Sequence, residues 1–114
     1  MLKKIAIFAS GTGTNFVALQ QAIQTRPIAA KIALLVCDNA EAPVIKKAQA
    51  DQIPVLVINF HDYANKAAAE AIILSALQRH EIDAILLAGY MRIIGQTLLT
   101  AYPHKIINTV SYTH

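Results

Sequence analysis

Ser10-Gly11-Thr12-Gly13-Thr14-Asn15 is the part of the chain best suited to chemistry. It follows the apolar run Ile5-Ala6-Ile7-Phe8-Ala9 and opens onto an amphipathic segment beginning at Phe16. Backbone N–H groups converge where a strand turns into a helix, and the helix dipole adds partial positive charge there. An anionic group, most often a phosphate, is the natural ligand. The loop lacks the third glycine of Gly-x-Gly-x-x-Gly, since Phe16 follows Asn15, and it lacks the Gly-Lys-Ser/Thr of a Walker A loop. Asp38, an acidic residue at the end of the next apolar run, keeps a nucleotide reading open. The alternative is that Gly11 and Gly13 only form a tight turn. A second constellation is Leu87-Ala88-Gly89-Tyr90-Met91-Arg92-Ile93-Ile94. It could line a flat, mostly apolar pocket while offering backbone hydrogen bonds, or it could simply start a helix with Met91 and Ile94 in the core. The third candidate is Asn108, whose amide could donate to a developing oxyanion or merely serve a turn.

These groups need elements to hold them. Residues 3–9 read as a buried strand and 15–25 as a helix with Phe16, Leu19 and Ile23 on one face. Residues 28–37 read as a second strand ending at the Asp38-Asn39 turn, 42–51 as a short helix with Pro43 in its first turn, and 54–58 as a third strand. Residues 63–80 form the clearest helix, with Tyr63, Ala67, Ala71, Leu74 and Leu77 on one face and Lys66 four residues before Glu70. A fourth strand is expected at 83–88, a short helix near 95–101 and a fifth strand at 105–108. This alternation predicts an α/β fold: a three-layer, Rossmann-like parallel sheet of about five strands with helices on both faces. Ligands of such sheets bind at the carboxyl ends of the strands, near the point where strand order reverses. All three constellations fall on that edge.

Composition narrows the class. The chain has 114 residues, 55% of them apolar, which allows one domain with a modest core. The net charge is +3, and the cations are scattered rather than striped with aromatics, so no nucleic-acid groove is expected. Cys37 is the single cysteine, so no disulfide forms within the chain, which fits a reducing, cytoplasmic setting. No apolar stretch is long enough to span a membrane. His61, His80, His104 and His114 fall in loop, helix-end or terminal positions and suggest solvated side chains.

Taken together, Ser10–Asn15, Ala88–Ile94 and Ile106-Ile107-Asn108 resemble the phosphoribosylglycinamide formyltransferases, folate-dependent enzymes of purine synthesis. The resemblance runs from about Lys3 to Asn108. It implies transfer of a formyl group from 10-formyltetrahydrofolate, the co-substrate, to the amine of glycinamide ribonucleotide, with no metal. It implies that Gly13, Thr14 and Asn15 bind the phosphoribosyl group. Lys66, Met91, Arg92, Ile93, Ile94 and Asn108 would then face the folate, and Asn108 would polarise the formyl carbonyl. The resemblance stops there. Residues 1–108 read as the formyltransferase domain and 109–114 as a divergent tail, so a truncated form is expected. Val110 stands where the family has its catalytic histidine, and the family's catalytic aspartate, which lies further along, has no counterpart. Little or no formyl transfer is expected of this chain, because loss of a positioned acid–base group costs ~10²–10⁴-fold in rate. An uncovered strand edge should favour a homodimer or higher oligomer. The other readings are a phosphate- or nucleotide-binding module, or a self-associating remnant, without catalysis.

Overall fold

The first strand sets the plan of the molecule. In β1 (Lys3–Ala9) successive side chains point to opposite faces, so Ala6 and Phe8 enter one apolar cluster while Ile7 and Ala9 enter another. A strand buried on both faces must be covered twice, and that forces helices above and below the sheet. The computed structural model describes residues 3–25, 30–90 and 94–108. Beyond β1 the elements are α1 (Thr14–Thr25), β2 (Ala30–Cys37), α2 (Val44–Ala50), β3 (Val55–Val57), a single 3-10 turn at Phe60–Asp62, α3 (Lys66–Arg79), β4 (Ala84–Leu87), α4 (Gln96–Ala101) and β5 (Ile106–Asn108).

The strands form one parallel sheet in the order β3-β2-β1-β4-β5. Residues of α1 and α2, including Phe16, Val44 and Ala48, pack with Ile7, Leu35 and Cys37 on one face. On the other face Ala69, Ile73 and Leu77 of α3 and Leu98 of α4 pack with Phe8, Val36 and Ile85. The expected three-layer α/β architecture is therefore the observed one. One irregularity interrupts it: between Ile5 and Ala6 the β1–β2 register skips Ala33, a one-residue bulge in β2. Lys31 is tolerated because it is the second residue of β2, exposed at the amino edge of the sheet.

Two details of the expected helices change. The long helix starts at Lys66 rather than 63, because Asn65 takes the cap position and its side chain accepts the Ala68 N–H at 2.8 Å. Its buried face is Ala69, Glu70, Ile73, Ala76 and Leu77, whereas Ala67 and Ala71 are exposed. Alanine is small enough to sit on either face, so it carried little directional information in an alanine-rich segment. Residues 28–29 of the expected second strand lie outside the described residues.

Candidate functional site

In a right-handed βαβ unit the strand runs up and the helix runs down, so the helix N-termini gather at the carboxyl edge of the sheet. The strand order reverses between β1 and β4, and the crevice beside them is where open α/β sheets take ligands. The glycine loop leaves β1 at this point. Gly13 has φ +88°, a left-handed conformation, and a Cβ there would lie 2.9 Å from Val44 Cγ2 and 3.1 Å from Lys47 Cδ. Glycine is thus required twice over, by backbone conformation and by close packing on α2. Gly11 differs: a Cβ there would meet nothing within 4 Å, so its backbone faces open space. The loop is tied down by Val44 N–H donating to the Gly11 carbonyl at 3.3 Å and by a 3.1 Å hydroxyl pair between Thr12 and Thr14. Val17 N–H donates to the Gly13 carbonyl, which makes Gly13 the residue at the helix entrance. The N–H groups of Thr14, Asn15 and Phe16 therefore belong to the first turn, where intrahelical acceptors are lacking. First-turn N–H groups of this kind are suited to an anionic ligand.

The second and third constellations meet the loop across the sheet. Phe8 of β1 pairs with Leu87 of β4, and Leu87 pairs with Asn108 of β5. At a strand spacing of 4.7–4.9 Å, Asn108 lies about 10 Å across the sheet from Phe8. Ala88 is buried and donates its N–H to the Phe8 carbonyl at 2.8 Å. Gly89 then turns the chain with φ +73°. The Tyr90 ring meets the Phe8 ring edge-on at a centroid distance of 5.3 Å. Ile94 is half-buried against the α3/α4 cluster. Met91, Arg92 and Ile93 lie outside the described residues, as do residues 109–114.

Lys66 is the first residue of α3, exposed, at the same edge of the sheet. A cation in the first turn opposes the helix dipole by about 0.3–1 kcal/mol. Two further residues near the site had no strong signature in the sequence. Lys47 is half-buried, and its aliphatic stem runs beside Gly13. In the sequence Glu70 stands out only by its spacing from Lys66. It is 2% exposed, and its Oε2 accepts the Gly95 N–H at 2.6 Å, so it caps α4 from a neighbouring helix. A glutamate within an apolar, alanine-rich helix face is the only sequence cue that could have marked it. Burial pushes the Cys37 thiol above its ordinary range, with the Asn39 carbonyl accepting from Sγ at 3.2 Å. Among the described residues no three His, Cys, Asp or Glu side chains gather as a metal would need. Two surface grooves open at the opposite, amino edge, around Lys31, Asp51 and Ile53, away from the residues described above.

A family model described as Formyl transferase matches residues 3–110, nearly the whole chain. The chain belongs to the formyl transferase family. Within that family it is 50% identical over 107 residues to a phosphoribosylglycinamide formyltransferase of Bacillus subtilis, covering 94% of this chain and 55% of that protein. It is 35% identical to the corresponding Haemophilus influenzae protein, covering 94% of this chain and 50% of that one. The crystal structure of glycinamide ribonucleotide transformylase 1 from Geobacillus kaustophilus superposes with a TM-score of 0.90 at 49% identity, over 95% of this chain and 57% of that one. The chain thus spans about half the length of the relatives it matches, and the matching part is their N-terminal portion. The formyl transferase fold accounts for the sheet order and for the position of the glycine loop. Among the described residues, no helix is long and apolar enough to cross a membrane.

Proposed function

We propose that this chain carries the phosphate cradle and the folate-facing strand ends of a phosphoribosylglycinamide formyltransferase. The observation that carries the reading is the glycine loop at the switch point of a formyl transferase sheet, beside the ends of β4 and β5. In this reading the backbone of Gly13, Thr14 and Asn15 holds the phosphate of glycinamide ribonucleotide. Lys66, Met91, Arg92, Ile93 and Ile94 face 10-formyltetrahydrofolate. The substrate amine attacks the formyl carbon, and a C–N bond forms as the carbonyl oxygen takes negative charge. The Asn108 amide donates to that oxygen. Collapse breaks the bond to the folate nitrogen. The amine loses one proton and the departing nitrogen gains one.

A group must carry that proton, and Val110, two residues after Asn108, cannot. Binding and turnover therefore separate. Titration calorimetry of the 114-residue chain should register glycinamide ribonucleotide and a folate analogue. Its steady-state formyl transfer should lie ~10²–10⁴-fold below that of a full-length relative. Gly13→Ala should abolish ribonucleotide binding, because the added methyl collides with Val44 and is strained at φ +88°. Absence of both ligands from the wild-type chain, or near-normal turnover by it, contradicts the reading.

A further inference from the structure

The two faces of the sheet are not covered to the same extent. Ile7 of β1, Leu86 of β4 and Ile107 of β5 stand side by side in one row across the strands. Ile7 and Leu86 belong to the α1/α2 cluster, so the row points to that face. Along it the cover runs out. Ile7 is fully buried, Leu86 is half-buried, and Ile107 is 54% exposed. The row on the opposite face, Ala6, Ile85 and Ile106, keeps its cover further. Ile85 is buried there, and Ile106 is half-buried against the α3/α4 cluster. The cause lies in the connections. α1 and α2 link β1, β2 and β3, whereas α3 and α4 link β3, β4 and β5. The strand order runs outward one way and then the other, so right-handed crossovers place the two pairs of helices on opposite faces. Among the described residues, no helix therefore covers the α1/α2 face of β5. A parallel sheet is normally covered on both faces.

We propose that the bare face around Leu86 and Ile107 is a docking surface for the C-terminal portion of a formyl transferase. Two facts favour that occupant over a second copy of this chain. The Geobacillus kaustophilus structure contains the same fold at a TM-score of 0.90, yet only 57% of it is matched, and the Bacillus subtilis relative is matched over 55%. The unmatched part of each follows the segment that this chain resembles, so it departs from the end of the fifth strand, beside the bare face. A second copy, by contrast, could offer only helices whose apolar sides already pack on their own sheet. The inference needs family membership alone and not the phosphate or folate assignments, so it can fail without touching them. The 114-residue chain, labelled with carbon-13 at its Ile and Leu methyl groups, is refolded from urea with one equivalent of the unlabelled C-terminal portion of the Bacillus subtilis protein. Light scattering should report a one-to-one complex. The methyl signals of Leu86 and Ile107 should shift, while those of Ile72 and Leu99, exposed on α3 and α4, should stay in place. Ile107→Lys should weaken the complex about tenfold or more, because it sets a charge against an apolar contact. Ile107→Thr, which keeps a β-branched side chain in the strand, should weaken it about threefold. Val57→Lys, on the opposite edge strand, should leave it within about twofold. A homo-oligomer that excludes the added portion would assign the face to a second copy and overturn the inference. Shifts at Ile72 and Leu99 in place of Leu86 and Ile107, or no complex at all, overturn it as well.

Discussion

Tyr102 shows how much one side chain can hold in a small domain. Its ring belongs to the α3/α4 apolar cluster, and its hydroxyl donates to the Ile82 carbonyl at 3.0 Å, tying the end of α4 to the approach to β4. Burial, with a smaller contribution from the Asp83 carboxylate, raises the phenol above its ordinary value of about 10. A raised acid keeps its proton longer in the folded chain than in the unfolded one. Its contribution is therefore whole below pH 10 and lost as pH rises through the folded value. Tyr102→Phe should cost about 1–2 kcal/mol near neutrality, because the Ile82 carbonyl loses its buried donor. Urea denaturation at pH 7 and above pH 10 would measure this, and the variant should lose less stability than wild type across the alkaline limb. Glu81 works in the opposite direction on the exposed surface. Lys4, at 2.7 Å, holds its carboxyl below the usual range, so that pairing fades as pH falls into the acid range.

At the scale of elements, helix ends hold information that residue types concealed. After α2, Gln52 takes a left-handed φ of 61°, with its N–H on the Gln49 carbonyl and the Ile53 N–H on the Ala48 carbonyl. After α3, Glu81 does the same at φ 56°, with bonds from Glu81 to Gln78 and from Ile82 to Leu77. These are Schellman closures in which glycine usually takes the left-handed position. A side chain there costs about 1 kcal/mol, so Gln52→Gly should raise the unfolding free energy by about that amount, readable as a shift in the urea midpoint. The sequence offered no glycine to announce either stop. Element type and order were nonetheless legible, because apolar runs of the right length alternate with turn residues. The glycine loop was legible for the same reason: Gly13 stands where a strand must become a helix. Glu70 was not, because amphipathic patterning assigns a glutamate to solvent, and only the meeting of α3 with α4 gives it a buried partner. The inward face of α3 is not legible either, because alanines at 67 and 71 fit solvent as well as core.

Among the described residues of the molecule, 41 × 30 × 30 Å, the sheet ends on two short strands, β3 and β5, of three residues each. Short edges limit the template for wrong pairing, yet Val57 on one and Ile107 on the other are 39% and 54% exposed. Ile72 and Leu99 add apolar surface on the helices of one face. We expect the 114-residue chain to self-associate through the β5 edge. Multi-angle light scattering should report a species larger than the monomer, and Ile107→Lys, which places a charge on that edge, should return it toward the monomer. A monomeric wild-type chain at high concentration would contradict this.

The sheet order carries a consequence for how the chain is made. β1 is the central strand, yet its two neighbours reach it at very different times. β2 follows closely on the ribosome, whereas β4, which pairs Ala84 with Ile5, emerges only after α2, β3 and α3. Until β4 is made, the central strand has one bare side. Long-range parallel pairing of this kind forms slowly and is exposed to association while it waits. The late arrival of Ala84–Leu87 is thus the step at which a nascent chain is most open to chaperone capture, and at which translation speed should most affect the yield of folded protein.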